Sequence, residues 1–281
     1  MLGQRIVTAV ILLALLVPAL LASSPWPFQI LTLGLIGAAA WEWGRLNQAG
    51  AASSLALGMG LVVACALAWR AGWTASTPPA VWWVVTLLWV AGGALSLRTG
   101  PQGWPQIPRV WRWTLGLVAL WAAWLALTAA RARGLNFILS VFCLVWVADT
   151  AAYFGGRALG RRKLAVTISP GKSWEGVWTG MAAVLALALA WLTWQGGALS
   201  AGPSLFSELD RAWGLPFGAL LLVGLAAMSV VGDLFESLVK RAAGQKDSSR
   251  LLPGHGGVLD RIDALLPVFP AAMALSTWGR T

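Results

Sequence analysis

Acidic residues, cysteines and histidines are scarce in this sequence. Its 281 residues include ten Asp and Glu, two Cys and one His. Cys65 and Cys143 both lie in apolar runs, so neither a disulfide nor a thiolate metal site is indicated, and both are expected to be small core residues. Without a set of Cys and His ligands, a metal site in this chain is expected to use carboxylate oxygens and to hold Mg²⁺ rather than zinc.

Charged residues of both signs are also few, at 11 % of the chain, whereas hydrophobic residues make up 58 % and the mean hydropathy is +0.74. A water-soluble domain of this length could not bury so much apolar surface. The sequence therefore predicts an all-α, polytopic integral membrane protein. Runs of about 20 apolar residues predict nine transmembrane helices. We place them roughly at 5–23, 28–45, 53–70, 79–97, 112–130, 135–156, 174–195, 214–240 and 258–278.

The first apolar run could be mistaken for a signal peptide, but no convincing small-residue cleavage site precedes Pro25, so we interpret it as a retained span. The net charge of +10 matters through its distribution along the chain. With a cytoplasmic N-terminus, fourteen Lys and Arg fall in inside segments and five in outside segments. This bias predicts an N-terminus in the cytoplasm. The basic charge is thus attributed to membrane topology, and nucleic acid is not an expected partner.

The two halves of the chain differ in chemistry. Residues 1–134 are apolar and rich in tryptophan, and they are expected to be structural helices with a dimer or lipid surface. Their single carboxylate, Glu42, is expected to pair with Arg45 on the same helix face, and the alternative is a contact with a substrate. Five tryptophans near predicted span ends are expected at the lipid headgroups: Trp82, Trp83, Trp104, Trp111 and Trp113. Residues 135–281 are expected to form the catalytic region.

Asp149 lies inside the otherwise apolar sixth span, where ionisable groups are costly and usually functional. The predicted topology puts it in the cytoplasmic half of that span. The alternative is a structural role, in which Asp149 caps the helix or pairs with Arg157. Three nearby glycines, Gly155, Gly156 and Gly160, are expected to let helices approach closely.

The segment TISPGKSWEG, residues 167–176, comes directly before the seventh span. Backbone N–H groups, the hydroxyls of Ser169 and Ser173, and the amine of Lys172 at a helix N-terminus are typical of a phosphate site. The segment lacks the first glycine of the nucleotide-binding G-x-x-x-x-G-K-[ST] loop. The alternative for Ser173 is a helix N-cap, and the two roles can coexist.

The eighth span ends in MSVVGDLFESLVKR, in which one helix face carries Asp233, Glu236, Ser237 and Lys240 at i, i+3, i+4 and i+7. A PGHGG turn follows, and then Asp260 and Asp263 share a face at the entry to the ninth span. Two antiparallel helices joined by a short loop are expected to bring Asp233 and Asp260 together at similar depth. The competing interpretation is a salt-bridge network with Lys240, Arg241 and Arg261. For His255, a hydrogen bond that stabilises the turn and a phosphate contact are both open.

Residues 237–263 resemble the signature of the phosphatidate cytidylyltransferases, also called CDP-diacylglycerol synthases. Every fixed position of that signature is met, at Ser237, Lys240, Arg241, Lys246, Asp247, Ser249, Leu252, Pro253, His255, Gly256, Gly257, Asp260, Arg261 and Asp263. The segments DTAAYFGGRALG and ISPGKSWEG are also similar to that family, so the likeness covers about residues 135–281. The sequence departs from the commonest forms of the family at Gly171 and at Ser248-Ser249.

The resemblance implies a nine-span helical fold, usually a homodimer, in the cell inner membrane with its active site facing the cytoplasm. It implies conversion of CTP and phosphatidate into CDP-diacylglycerol and pyrophosphate, with Mg²⁺ held by paired aspartates and a monovalent cation such as K⁺ assisting. The implied metal ligands are Asp233 and Asp260 first, then Asp263, Asp149 and Glu236. The candidate catalytic and phosphate-binding cations are Lys172, Lys240, Lys246 and Arg261. The remaining candidate substrate-binding residues are Ser169, Ser173, Ser237, Arg241, His255, Gly256 and Gly257.

Three other functions compete with this interpretation. An ion-coupled transporter would use intramembrane aspartates, but the ionisable groups crowd one side of the membrane and no internal repeat is visible. Another CTP-dependent lipid enzyme, either a lipid kinase or a polyprenyl-phosphate transferase, would share the magnesium and phosphate machinery. An inactive scaffold protein of the same family is disfavoured by the complete signature.

Overall fold

The computed structural model of the protein describes residues 2–193 and 202–277, and within these ranges the fold is almost entirely α-helical, as predicted. A short β-hairpin, which the sequence analysis did not predict, interrupts the helices after α7. The elements are α1 Leu2–Leu21, α2 Trp26–Leu46, α3 Ala51–Arg70, α4 Trp73–Ser76, α5 Pro79–Gly103, α6 Arg109–Arg133, α7 Leu135–Leu159, β1 Lys163–Ala165, β2 Ser169–Ser173, α8 Trp174–Thr193, α9 Leu205–Trp213, α10 Leu215–Ala242, α11 Leu259–Ile262 and α12 Leu265–Thr277.

Among the described residues, seven helices are long and apolar enough to cross a membrane, namely α1, α3, α5, α6, α7, α8 and α10. The chain is therefore a polytopic membrane protein, as its composition predicts. Two of the nine predicted spans do not meet the same criteria. The second, α2, has 21 residues of which half are buried against other helices, and the ninth, α12, is described over only 13 residues. The predicted count of nine is not confirmed.

The predicted ninth span is not one continuous helix, because the chain breaks between α11 and α12. Pro267 has no N–H group to donate to the carbonyl of residue 263, so the regular helical hydrogen bond is missing there. The side chain of Asp263 instead accepts the N–H of Ala264 at 2.7 Å. The break packs closely on α10, since a Cβ atom added to Gly232 would lie 2.4 Å from the main-chain oxygen of Asp263. The break thus brings Asp263 against α10.

Small residues allow α7 and α8 to pack closely, as predicted for the glycines of this region. A Cβ atom on Gly155 would lie 2.1 Å from the hydroxyl of Thr179, and one on Gly180 would lie 2.7 Å from the carbonyl of Ala148. Neither contact leaves room for a side chain. Helix contacts of this kind are common where lipid tails provide no hydrophobic drive for association.

Helices from both predicted regions share one core. Helix α12 packs against α5, α6 and α10, and its residues are almost all buried. The ring of Phe235 in α10 contacts the rings of Trp43, Trp89 and Trp104 from the first half of the chain. The division at residues 1–134 and 135–281 stays a prediction, but the two parts are packed together.

The expected position of the tryptophans at the headgroups is wrong for part of the set. Trp82 and Trp104 are buried, at 1 % and 3 % exposure, whereas Trp111 is exposed. The indole N–H of Trp104 donates to the side-chain oxygen of Asn47 at 2.8 Å. A buried indole N–H needs such a partner. The position of a tryptophan near a span end therefore does not predict whether its ring is buried or exposed.

The two ends of the helix bundle can be told apart by their contacts. At one end, Thr8 donates its hydroxyl hydrogen to the carbonyl of Pro253 at 2.8 Å, which joins the start of α1 to the PGHGG turn. We call this the signature end. At the other end, the guanidinium group of Arg131 donates to the carbonyls of Leu20 and Ala22, at 2.9 and 2.8 Å, where α1 turns into α2. We call this the opposite end.

Candidate active site

The PGHGG sequence forms a tight turn at the signature end, as predicted. Leu252 and Gly256 form an antiparallel bridge, and the N–H of His255 donates to the carbonyl of Leu252 at 2.8 Å. Gly254 and Gly256 have φ values of 76° and 84°, in the left-handed region that glycine adopts readily. The turn directs the chain into α11, which carries Asp260.

The predicted polar face of α10 is confirmed. The hydroxyl of Ser237 donates to Asp233 at 3.3 Å, one helical turn away. The amine of Lys240 forms an ion pair with Glu236 on the preceding turn. Both partners of that pair are largely buried, with side chains 12 % and 2 % exposed. The spacing of i, i+3, i+4 and i+7 has therefore placed all four side chains on one side of the helix.

Four hydrogen-bond donors converge on the carboxylate of Asp260. One of its oxygens accepts the amine of Lys240 at 2.6 Å. The other accepts the N–H of Gly257 at 2.7 Å and both the N–H and the hydroxyl of Ser248, at 2.9 and 2.8 Å. Burial alone would raise the pKa of Asp260, but the hydrogen bonds and the charge of Lys240 lower it to about 2. Asp260 is therefore a fixed anion.

Asp260 lies beside Lys240 on α10, and its expected position at the depth of Asp233 stays a prediction. Asp260 contacts Lys240, which lies two helical turns beyond Asp233 along α10. The break after α11 instead puts Asp263 beside that part of α10. Burial and the neighbouring Asp233 carboxylate hold the pKa of Asp263 well above its usual range. Asp263 is thus close to Asp233, and Asp260 shares the amine of Lys240 with Glu236.

The β-hairpin brings Lys172 to the same face of α10. Its amine contacts a carboxylate oxygen of Asp233 at 2.5 Å, and both side chains are about one quarter exposed. The expectation of free backbone N–H groups in this segment is wrong in part, because β2 pairs with β1 in the register Lys163 to Ser173 and Ala165 to Ser169. Lys172 is therefore presented from a strand.

Ser173 caps α8, as the structural alternative predicted. Its hydroxyl accepts the N–H of Gly176 at 3.2 Å, and the residue is only 5 % exposed. Glu175 holds the entry to the hairpin by accepting the N–H groups of Arg161 and Arg162 at 3.0 and 3.1 Å. Ser169 stands at the beginning of β2 and is half-buried.

Asp149 accepts the hydroxyl of Ser229, on α10, at 3.2 Å. The alternative pairing with Arg157 is wrong, because the guanidinium group of Arg157 lies instead beside the hydroxyl of Tyr153, at 3.5 Å. Helix α7 thus adds a carboxylate to the face of α10 that already carries Asp233.

The remaining predicted residues line the rim of this group. Arg241 donates to the carbonyls of Ile168 and Gln245, at 3.3 and 3.2 Å, and so joins α10 to the hairpin. Lys246 and Arg261 are exposed and have no ion pair within the described part of the chain.

The predicted salt-bridge network therefore includes Lys240 but neither Arg241 nor Arg261. For His255, the turn is stabilised through the main chain, while the buried Nδ1 atom of its imidazole has no hydrogen-bond partner among the described residues.

Glu42 is the residue of this site that the sequence analysis missed. It does not pair with Arg45, whose guanidinium group lies over the ring of Trp41. Its carboxylate reaches from α2 into the signature segment and accepts the N–H groups of Val258 and Leu259 at 2.9 and 2.7 Å. The sequence did contain a signal for Glu42, because it is a lone carboxylate in an apolar helix. Such a group is costly and usually functional, as was argued for Asp149.

Within residues 2–193 and 202–277, no three side chains among His, Cys, Asp and Glu stand close enough together to enclose a metal ion. The amines of Lys172 and Lys240 lie against the carboxylates instead. One carboxylate oxygen of Glu236, Oε1, is buried without a hydrogen-bond partner among these residues. The arrangement therefore combines a fixed anion, Asp260, with lysine amines that could exchange a carboxylate partner for phosphate.

Comparison with known proteins gives a match along nearly the whole chain. The sequence model of the Cytidylyltransferase family matches residues 3–278. The chain is 39 % identical over 295 residues to the phosphatidate cytidylyltransferase of Pseudomonas aeruginosa, a match that covers 99 % of both chains. It is 34 % identical over 298 residues to that of Haemophilus influenzae, with 96 % of both chains covered. It is also 39 % identical over 182 residues to phosphatidate cytidylyltransferase 5, chloroplastic, of Arabidopsis thaliana, with 64 % of this chain and 37 % of that relative covered.

Proposed function

The chain belongs to the cytidylyltransferase family, and we infer that it is a phosphatidate cytidylyltransferase, a CTP-using nucleotidyltransferase of phospholipid synthesis. The reaction joins CTP and phosphatidate to give CDP-diacylglycerol and pyrophosphate. Beyond family membership, the observation that supports it is the group of fixed carboxylates and exchangeable lysines at the signature end. The substrates are a cytosolic nucleotide and a membrane lipid, so this reaction suits a membrane protein whose charged groups gather at one end of the bundle.

The proposed chemistry is attack by a phosphate oxygen of the lipid on the α-phosphorus of CTP. Two polyanions must meet, so the site has to cancel charge and hold the reacting groups in line. Lys172 and Lys240 would each give up a carboxylate contact and bind phosphate oxygens. Lys246 and Arg261, exposed at the rim, would meet the incoming triphosphate and the lipid phosphate. No side-chain nucleophile is required.

We assign hydrogen-bonding roles to the neutral groups around these cations. The hydroxyls of Ser169 and Ser237 and the N–H group of Gly256 would donate to phosphate oxygens. The imidazole of His255, whose buried Nδ1 atom has no partner among the described residues, would do the same. Ser173 is a weaker candidate, because its hydroxyl already caps α8.

We propose Mg²⁺ as the metal of the reaction, assisted by a monovalent cation such as K⁺. The chemistry of the donors fits, because carboxylate oxygens are the ligands that Mg²⁺ prefers and the buried Glu236 Oε1 has no hydrogen-bond partner among the described residues. Asp233, Asp260, Asp263 and Asp149 would supply the other oxygens. No three of these carboxylates stand close enough together in the structure to enclose an ion, so the side chains would have to move together when the metal binds. When bound, the metal would neutralise charge on the phosphates and on the leaving pyrophosphate.

We also propose that the site faces the cytoplasm from the inner membrane and that the enzyme is a homodimer. The bias of Lys and Arg toward inside segments supports the orientation. In a Lys246→Cys variant, a membrane-impermeant maleimide should label inside-out vesicles and leave intact cells unlabelled, with the wild-type protein as control. Labelling of intact cells would reverse the orientation. The mass of the protein–detergent complex, corrected for detergent, would test the dimer.

A product assay tests the function directly. Purified protein in detergent is given phosphatidate, Mg²⁺ and CTP labelled at either the α- or the γ-phosphorus. A cytidylyltransferase puts the α-label into lipid and releases the γ-label as pyrophosphate. A lipid kinase would put the γ-label into lipid and leave the α-label in CDP. Absence of α-labelled lipid from folded protein would contradict the proposal.

A further inference from the structure

We propose that Glu42 is a positioning residue for the cytidylyltransferase reaction, acting from α2 through the signature turn on Asp260. This inference rests on the proposed function. Glu42 is completely buried and belongs to the half of the chain in which no chemistry was expected. Within the described part of the chain, its side-chain hydrogen bonds are with residues 248–259, more than 200 positions away in sequence.

Four donors converge on the two oxygens of Glu42. Oε1 accepts the hydroxyl of Ser249 at 2.6 Å and the N–H of Val258 at 2.9 Å. Oε2 accepts the N–H of Leu259 at 2.7 Å and lies 3.2 Å from the hydroxyl of Ser248. A buried ionised carboxylate without such donors would be strongly unfavourable. Glu42 therefore ties both sides of the PGHGG turn to α2.

Ser248 links Glu42 to Asp260. Its hydroxyl lies between the two carboxylates, 2.8 Å from Asp260 Oδ2 and 3.2 Å from Glu42 Oε2. A serine hydroxyl has one hydrogen and can donate to only one of them at a time. The N–H of Ser248 also donates to Asp260, so a shift of residue 248 would move two of the donors that hold this aspartate.

The fit around Glu42 is tight. A Cβ atom on Gly257 would lie 2.4 Å from Glu42 Oε1 and 2.1 Å from the hydroxyl of Ser248. The N–H of the same Gly257 donates to Asp260. The turn therefore has little freedom to move relative to α2 without disturbing the donors of Asp260.

The test substitution is Glu42→Gln in the full-length protein. The amide has one oxygen and one NH₂ group, and each oxygen of Glu42 accepts a backbone N–H. The NH₂ group must therefore face a backbone donor in a buried site, whichever way the amide is turned. Glu208→Gln is the matched control, since Glu208 is a buried carboxylate at the opposite end, 6 % exposed.

Two measurements are made on each variant in detergent. We expect Glu42→Gln to lower kcat for CDP-lipid formation by at least about 10-fold and to raise the Mg²⁺ concentration at half-maximal rate. We also expect the amides of residues 246–259 to exchange with deuterium at least about 10-fold faster, without metal or substrate. Glu208→Gln should lower the melting temperature while leaving kcat per folded molecule, the Mg²⁺ dependence and this exchange rate unchanged.

The positioning role requires both a lower kcat and faster exchange in Glu42→Gln. If either quantity is unchanged, or if Glu208→Gln loses kcat equally, the role is overturned. If Glu42→Gln does not fold, Ser249→Ala decides, because it removes one donor of Glu42 and leaves no buried charge unpaired. A fall in kcat of about threefold or more with faster exchange would support the role, and unchanged values would overturn it. If the wild-type protein makes no CDP-lipid, the proposed function fails, while the exchange measurement still tests the contact.

Discussion

Both ends of the bundle contain buried ion pairs, but they satisfy their charges in different ways. At the opposite end, Arg133 pairs with Glu208 at 3.2 Å and also donates to the hydroxyl of Ser276, while Arg131 donates to main-chain carbonyls. These contacts join helix ends. At the signature end, Lys240 lies between the carboxylates of Glu236 and Asp260.

A count of charged residues would not distinguish the opposite end from the proposed catalytic end, whereas the partners of each charge do. At the opposite end, the arginines contact carbonyl oxygens and a buried carboxylate, and these contacts are expected to stay in place because no substrate is expected there. In the proposed mechanism, Lys240 exchanges one of its two carboxylates for phosphate, and the released carboxylate would then bind a metal. Fixed anions with exchangeable cations are what the transfer of a nucleotide between polyanions needs.

The largest effect is expected from Asp260→Asn. Asp260 accepts three donors on one oxygen and Lys240 on the other, so an amide must turn its NH₂ group toward donors. We expect kcat for CDP-lipid formation to fall by at least about 1000-fold in folded, membrane-inserted protein. Asp210→Asn, at the opposite end, is the control and should keep wild-type kcat. Unchanged activity in Asp260→Asn would contradict a catalytic role for the signature end. It would also contradict the assignment of Asp260 as a metal ligand.

Lys240→Met should separate stability from catalysis at the signature end. It leaves Glu236 and Asp260 buried without their shared cation, so the free energy of unfolding should fall by about 3 kcal/mol. Adding Glu236→Gln removes one of the two charges and should restore part of that stability without restoring kcat. Denaturant titrations and product assays measure the two quantities. Recovery of activity together with stability would mean that Lys240 is only structural.

Arg133→Met tests the opposite end in the same way. The Arg133 and Glu208 side chains are 13 % and 6 % exposed, so the loss of unfolding free energy should also be about 3 kcal/mol. Here kcat per folded molecule and the Michaelis constant for CTP should stay within about twofold of wild type, because no substrate is expected at this end. A selective loss of kcat would contradict the structural assignment of the Arg133 pair.

Much of the fold and of the site could be predicted because the relevant patterns are local. Apolar runs predicted the helices, and spacing along α10 predicted that Asp233, Glu236, Ser237 and Lys240 share a face. The helix break at Asp263 depends on Pro267. A search for apolar runs does not detect it, because proline does not interrupt the hydropathy of the segment. The contacts of Glu42 join positions more than 200 residues apart, and a nearby Arg45 offered a simpler local partner.

The strand at residues 169–173 was missed for a related reason. Ser, Pro, Gly and Lys at the start of a helix favour a loop with open N–H groups, and only the pairing with residues 163–165 turns the segment into a hairpin. Strand pairing depends on a partner that the segment itself does not reveal. Lys172 nevertheless reaches the carboxylate face of α10, and its contact with phosphate stays a prediction.

The smallest effect is expected from Ser173→Ala, which tests how far the substrate site extends along the hairpin. Ser173 is buried, and its hydroxyl accepts the N–H of Gly176 while helix α7 passes beside it at Gly156 and Gly160. Loss of this cap should lower the free energy of unfolding by about 1 kcal/mol. The Michaelis constant for CTP should not change, because a ligand could reach the hydroxyl only by separating α7 from α8. Lys172→Met, one residue earlier, should raise that constant with little effect on stability. If Ser173→Ala instead weakens CTP binding without destabilising the protein, Ser173 belongs to the substrate site. That result would contradict the interpretation of its hydroxyl as only a helix cap.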